Sequence, residues 1–241
     1  MKLGTRLKQI ETLVSPGYQH IWDCCCDHGL LGASLIAKQA APHIHLVDIV
    51  PELIETLSIK FQTLFPAKPN NQTDGENYCE NHCQWHSHCL DIAHLPLKDH
   101  QGKHLVIIAG IGGELMTELV AEIIKNNPEL ALDFILCPVR QVTTLRQQLI
   151  KLEMELKDEV LIKENNRFYE ILFVSSEKPV KQPISTIGET IWQSNSPEKR
   201  HIAKEYLQQT INHYQRMQQG SNDPNLERLI RSYKKKSDLF Q

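Results

Sequence analysis

Apolar side chains recur at helical spacing at Leu3, Leu7, Ile10 and Leu13, then stop at Ser15-Pro16-Gly17, which predicts an opening helix. A short β-type run over 19–24 follows, then a helical pattern over 30–40 that Pro42 breaks. Residues 43–48 read as a second strand, and Pro51 sits well at the start of a helix whose apolar face is Leu53, Ile54, Leu57, Phe61 and Leu64. From 66 to 80 the chain is rich in Pro, Asn and Gly and reads as a loop, an insertion between elements. A weak third strand is expected over 85–90. The continuous apolar run in 104–109 marks a strand buried on both faces. A helix over 114–126, a strand over 133–137 and a helix over 143–152 come next. Two alternating runs, 157–163 and 167–175, then flank Asn165-Asn166, a hairpin signal.

Strands alternating with helices and closing on an antiparallel hairpin predict an α/β fold, a Rossmann-like sheet of seven strands. Right-handed crossovers in such a sheet bring every strand-to-helix loop to one edge. Beyond Pro179 and Pro183 the pattern changes. Ser196 caps and Pro197 opens a helix carrying Ile202, Tyr206, Leu207, Ile211, Tyr214 and Met217, and Gly220 ends it. Asp223-Pro224 opens another with Leu226, Leu229, Ile230 and Tyr233. The expected division is therefore a sheet domain over 1–178 and an antiparallel, coiled-coil-like helical domain over 184–241.

Composition adds limits. At 241 residues with 41% hydrophobic and 23% charged residues, the chain has the make-up of a soluble globular protein. No apolar run spans a bilayer, and the first residues are amphipathic, so neither a membrane segment nor a signal peptide is expected. Seven cysteines, three of them adjacent, suit free thiols in the cytoplasm better than a disulfide framework. From residue 185 onward nine Lys/Arg face six Asp/Glu, a balance of +3 against −6 for the rest of the chain. That asymmetry fits an anionic partner for the tail, or simply a solvated helical face.

The chemistry concentrates in Trp22-Asp23-Cys24-Cys25-Cys26-Asp27-His28-Gly29-Leu30-Leu31-Gly32, a strand, an acidic turn of small residues and a helix start. α/β proteins cradle nucleotide-like cofactors in such a turn. The phosphate-loop pattern is absent, and so is an intact G-x-G-x-x-G after the first strand. Instead, acids end three successive strands: Asp23, Asp48 and Asp91. They suit a neutral or cationic ligand and point to S-adenosyl-L-methionine rather than ATP or NAD. Asp48 with Ile49 is expected at the ribose hydroxyls, and Asp91 with Ile92 at the adenine. Cys24 and Cys25 line the first loop, and Ala109-Gly110-Ile111 lies beside the reacting end. Gly112 and Gly113 leave room for a substrate. Asp27 is the candidate catalytic carboxylate, and His28 either meets substrate or braces the loop. Cys79, His82, Cys83, His86, His88 and Cys89 lack a zinc-ligand spacing, and 86–89 fall in a strand, so no metal is expected. Cys24 to Cys26 read as turn residues and not as a nucleophile.

Together these residues resemble the bacterial tRNA adenine-N1-methyltransferases that modify adenine 22, the TrmK family. The likeness covers most of 3–175, with a similar helical tail. It is carried by Arg6-Leu7, by Asp23 with Asp27-His28, and by Ile108-Ala109-Gly110-x-Gly112-Gly113. Pro138 after the fifth strand and Tyr169-Glu170 in the last hairpin strand complete it. The resemblance implies a class I methyltransferase fold and S-adenosyl-L-methionine as donor. It also implies a tail that helps hold tRNA, Arg6 at the cofactor, and Pro138 and Tyr169 at the substrate; no protein partner is implied. The chain departs from the family at Cys25 and Cys26, where glycine and serine are expected, and at Cys137-Pro138-Val139, where the family has Gln-Pro-Asn. Two other readings stay open. One is a class I methyltransferase of another RNA base or a small molecule; the other is a non-catalytic module that binds RNA or cofactor.

Overall fold

A computed structural model describes residues 3–66, 83–220 and 223–240. The elements run α1 (Thr5–Leu13), β1 (His20–Cys24), α2 (Leu30–Ala37), β2 (His43–Asp48), α3 (Pro51–Leu64) and β3 (Gln84–Cys89). They continue with β4 (His104–Ala109), α4 (Gly113–Asn126), β5 (Leu132–Cys137), α5 (Val142–Lys151), β6 (Glu155–Glu164) and β7 (Arg167–Ser175). Two tail helices, α6 (Pro197–Gln219) and α7 (Pro224–Lys236), complete the chain. The strands form one sheet in the order β3-β2-β1-β4-β5-β7-β6. The first five are parallel, while β7 enters antiparallel to both β5 and β6. This is the seven-stranded α/β architecture expected from the alternation. α2 ends at Ala37, earlier than expected, because Gln39 turns left-handed at φ +53° before Pro42 is reached.

Register explains the placement of side chains. Asp23 pairs with Leu46 and Ile107, so β1, β2 and β4 end together, with their loops at one edge. Alternation sends Ile21, Ile44, Leu46, Leu105 and Ile107 to the face covered by α1, α2 and α3. Trp22, Cys24, Val47, Val106 and Ile108 go to the other face, under α4 and α5. No helix joins β3 to β4; only the short turns Ile92–His94 and Leu97–Asp99 do. Among the described residues, no helix covers the part of the second face formed by β1, β2 and β3. Histidines cover it: His45, His88, His100 and His104 pack around Trp22, and His20, His43 and His86 pack on these histidines. Burial lowers the pKa of His20 to about 4 and of His45 to about 2, with neighbouring imidazoles adding to the effect.

The tail shares a core with the sheet. Leu161 packs with Ile187, Ile191, Trp192, Ala203, Leu207, Ile211 and Tyr233. Arg200 near the start of α6 donates to the Leu239 carbonyl beyond α7 at 3.1 Å, and Tyr214 stacks on Tyr233, so the two helices are antiparallel. Beneath them Arg146 of α5 is fully buried between Glu159 (2.6 Å) and Glu170 (2.6 Å). The Tyr206 hydroxyl donates to Glu170 at 2.5 Å, while Glu159 accepts from the backbone N–H groups of Glu189 and Thr190. No helix among the described residues is long and apolar enough to cross a membrane.

Candidate active site

The first loop is tightly wound. Cys25 (φ +56°), Asp27 (φ +48°) and Gly29 (φ +65°) all take left-handed backbone, which a non-glycine residue adopts only at a cost. The turn is closed by Gly29 N–H donating to the Cys26 carbonyl at 2.8 Å, and Cys26 N–H reaches Val47 of β2 at 3.2 Å. Asp23 lies under this loop, buried, with one carboxylate oxygen accepting from Gly32 N–H at 2.9 Å. Burial raises its pKa to about 7, against the opposing pull of that hydrogen bond. Gly32 leaves room for the arrangement, since a Cβ there would collide with Leu46. Burial also pushes Cys25 up to about 11, with Asp48 and Asp23 adding to it, and raises Cys24 and Cys26 as well. All three thiols therefore keep their protons at neutral pH, which fits turn residues and not nucleophiles.

Asp27 and His28 project outward, their side chains 70% and 73% exposed and 3.6 Å apart. Asp48 meets them from the end of β2: one oxygen accepts from Asp27 N–H at 3.4 Å, the other from Val50 N–H at 3.1 Å. Ile49 is 66% exposed, a large apolar side chain in water at a loop where a ligand is expected. Asp91 caps the turn after β3 through Ala93 N–H at 2.9 Å. Ile92 is buried in the core beside Trp22 and Ile108, so its side chain offers little free surface to a flat ring. Ile49 and its neighbour Val50 are exposed apolar side chains of this edge.

The loops after β4 and β5 are knitted to each other. Gly110 (φ +92°) donates to the Cys137 carbonyl, Val139 N–H to Ile111, and Gly113 N–H to the Arg140 carbonyl at 2.9 Å. A Cβ on Gly113 would strike the Gln141 carbonyl, and one on Gly112 would lie 3.2 Å from the Arg140 side chain. Pro138 is buried at the end of β5, next to Val139, which is 43% exposed. Arg6 enters from α1. Its Nη1 is buried with no hydrogen-bond partner among the described residues and lies 3.8 Å from where a Gly110 Cβ would sit. Its guanidinium lies 5.4 Å from the Tyr169 ring centroid, and its backbone N–H donates to Glu164 at 3.1 Å. Burial raises Cys137 to about 11, with the neighbouring Arg6 charge pulling the other way.

The fold thus gathers Asp23, Cys24, Cys25, Asp27, His28, Asp48, Ile49 and Asp91 at the edge where β1, β2 and β3 end. Ala109, Gly110, Ile111, Gly112, Gly113, Pro138, Arg6 and Tyr169 gather where β4 and β5 end. The residues fit S-adenosyl-L-methionine on the unpartnered Arg6 donor: a buried guanidinium N–H with no acceptor suits a carboxylate beside the Gly110 backbone. Sequence reasoning missed Arg140 and Gln141, whose positions just past β5 were the available signal, and the contact of Asp23 with Gly32 inside α2. Of the Cys/His segment weighed for metal, Cys79 and His82 lie outside the described residues. His86 and His88 sit two apart on β3, so they share one face and both join the histidine cluster. Within it, ring nitrogens of His20, His45 and His100, none of them weighed from the sequence, lie within 4.8 Å of one another.

Residues 3–172 match the sequence model of a family described as methyltransferase domain. No curated protein matches the chain. Among solved structures, the chain is similar to M. capricolum TrmK in complex with the cofactor product S-adenosyl-homocysteine: TM-score 0.68, 18% identity, 100% of both chains covered. It is similar to the B. subtilis m1A22 tRNA methyltransferase TrmK over 99% of this chain and 97% of that one, with TM-score 0.58 and 17% identity. The magnesium protoporphyrin IX methyltransferase of Synechocystis PCC 6803, with bound S-adenosylmethionine, matches only 70% of this chain and 77% of its own, with TM-score 0.52 and 14% identity.

Proposed function

The chain belongs to the methyltransferase-domain family, and from that premise we propose that it transfers a methyl group from S-adenosyl-L-methionine to N1 of an adenine in tRNA, at position 22. The observation that carries the substrate class is the extent of the likeness. The tRNA-methylating structures match from end to end, tail helices included, whereas the porphyrin methyltransferase matches 70% of the chain. A class I core serves many acceptors, so the shared tail argues for the RNA over a small molecule.

The cofactor supplies an electrophilic methyl group on a sulfonium. The roles of the chain's own residues follow from their places. Arg6 holds the amino-acid carboxylate, Asp48 accepts from the ribose hydroxyls, and Asp91 with Ile49 borders the adenine. Asp23, tied to Gly32, sets the loop that Cys24 and Cys25 line. Gly112 and Gly113 let the loop after β4 pack closely on Arg140 and Gln141 beside the incoming base, which Pro138, Tyr169 and His28 border. N1 lies on the Watson–Crick edge, so the target adenine must leave its stack to be reached. Alignment is the main task of an in-line displacement. As positive charge grows on the base, the Asp27 carboxylate, accepting from the N6 amino group, stabilises it. The tail supplies basic side chains for the tRNA backbone, and the place of work is the cytoplasm.

Purified protein with cofactor and unmodified tRNA carrying adenine 22 should form 1-methyladenosine, read by nucleoside mass spectrometry. Asp27→Ala should slow turnover by ~100-fold or more with little loss of tRNA affinity. Cofactor binding without methylation of any tRNA would favour a non-catalytic module. Methylation of a different base or of a small acceptor would move the assignment within the family. The departures at Cys25 and Val139 would then be the first positions to restore.

A further inference from the structure

We propose that His20, His45 and His100 bind one divalent transition-metal ion of the zinc type, at the end of the sheet opposite the cofactor loops. His20 opens β1 and His45 lies within β2, while His100 belongs to the turn that precedes β4. A ligand nitrogen from each lies within 4.8 Å of the others, and His20 Nδ1 and His45 Nε2 are already 3.0 Å apart. Zinc–imidazole bonds of about 2.0–2.1 Å hold tetrahedral ligand nitrogens roughly 3.3 Å apart. The first pair therefore needs to open only slightly. His100, on a loop and half-buried, makes the remaining approach, and solvent fills the fourth position from its side.

The hydrogen bonds around the three rings supply the orienting partners such a site needs. His20 Nε2 lies 3.1 Å from the Gln101 carbonyl, which can only accept, so the ring carries its hydrogen there and presents a bare Nδ1. His45 Nε2 then donates to that Nδ1, and His45 Nδ1 accepts from His88 Nε2 at 2.9 Å. An ion seated between His20 and His45 takes the place of one hydrogen. The His45 proton moves to Nδ1 and donates to His88 Nε2, whose own proton moves to its Nδ1. Every ring stays neutral and no proton is lost. Each buried ligand would then donate its far N–H to a fixed acceptor, one a backbone carbonyl and one an imidazole, as metal-bound histidines commonly do. Packing holds the rings in place: Trp22 stacks on His45 at 3.7 Å and His43 on His20 at 4.7 Å. Bound there, the ion ties β1, β2 and the β3–β4 connection together where no helix among the described residues covers the sheet.

The test uses the full chain, made without a metal-affinity tag, stripped by chelator and titrated with Co2+ and then Zn2+. One Co2+ per chain is expected, with visible d–d bands, no thiolate charge-transfer band, displacement by Zn2+, and a higher melting temperature. Substitution of the buried His20 or His45 risks the fold, so the decisive variant is His100→Ala. Its backbone carbonyl still accepts from His104 Nε2. It should weaken metal affinity at least tenfold while the metal-free protein melts as wild type does. No stoichiometric binding, or undiminished binding by His100→Ala, would overturn the proposal. So would a thiolate band with binding lost in Cys83→Ser, which would put the ion in the Cys/His segment.

Discussion

Single side chains at the strand ends carry opposite electrostatic tasks. Among the described residues the Asp48 carboxylate accepts from two backbone N–H groups at 3.4 and 3.1 Å, which leaves its oxygens able to accept from a ribose. Asp48→Ala should weaken S-adenosylhomocysteine binding by about 1–3 kcal/mol, the cost of losing charged-acceptor hydrogen bonds. Asp48→Asn, which keeps one acceptor, should lose less. Unchanged affinity by calorimetry in both would remove Asp48 from the cofactor site. Asp23 is the contrary case, buried and raised to about 7. A carboxyl whose folded pKa exceeds its unfolded value of ~3.9 favours the fold when protonated. Its contribution is therefore full below pH ~4 and is lost as pH rises toward about 7, with a slope of at most ~1.4 kcal/mol per pH unit. Asp23→Asn keeps an acceptor for Gly32 and has no charge to bury. Denaturant melts of this variant should show that slope removed between pH 4 and 7; an unaltered pH profile would mean that Asp23 ionises freely.

At the level of elements, the decisive feature is what holds the tail to the sheet. Arg146 joins α5 to β6 and β7 with no solvent contact, and its Nη1 also donates to the Ser185 carbonyl at 3.0 Å. Burial penalises its charge, but the two carboxylates more than offset that and raise its pKa, while Arg146 and the Glu189 N–H hold Glu159 low. Arg146→Met leaves both acids buried without their cation and should destabilise the protein by about 3–5 kcal/mol, read by chemical denaturation. A loss under about 1 kcal/mol would mean that water replaces the guanidinium. The same contacts show why cutting the chain at 185 is a poor probe of tRNA binding. It would strip Glu159 of the Glu189 and Thr190 donors and expose the apolar surface around Leu161.

For the whole molecule, charge is unevenly distributed: −6 before residue 185 and +3 from there on. Lys236 is tied to Glu189 at 2.6 Å, but Lys234 and Lys235 are exposed on α7. Lys234→Gln with Lys235→Gln should lower tRNA affinity and flatten its salt dependence by about one unit of log–log slope per lysine lost. Cofactor affinity should not change. Filter binding across a salt series that gives wild-type slopes would assign the tail a purely structural task.

Local pattern alone determined the order of elements and the acids at strand ends, because alternation and helical spacing depend on near neighbours and the strand-end loops share one edge. Asp23, Asp48, Asp91 and the Gly110–Gly113 run were legible for that reason. What only tertiary structure decided involves partners distant in the chain. Arg6 meets Gly110 and Tyr169 through the packing of α1 on the far hairpin. Ile92 opens the short turn after β3 and is buried in the core, while Ile49 and Val50 after β2 stay exposed. The histidines fall 25 and 55 residues apart, from His20 to His45 and from His45 to His100, and no spacing rule along the chain relates them. Parallel pairing of β1 with β2 puts two of them on one face, and the connection from β3 to β4 brings in the third.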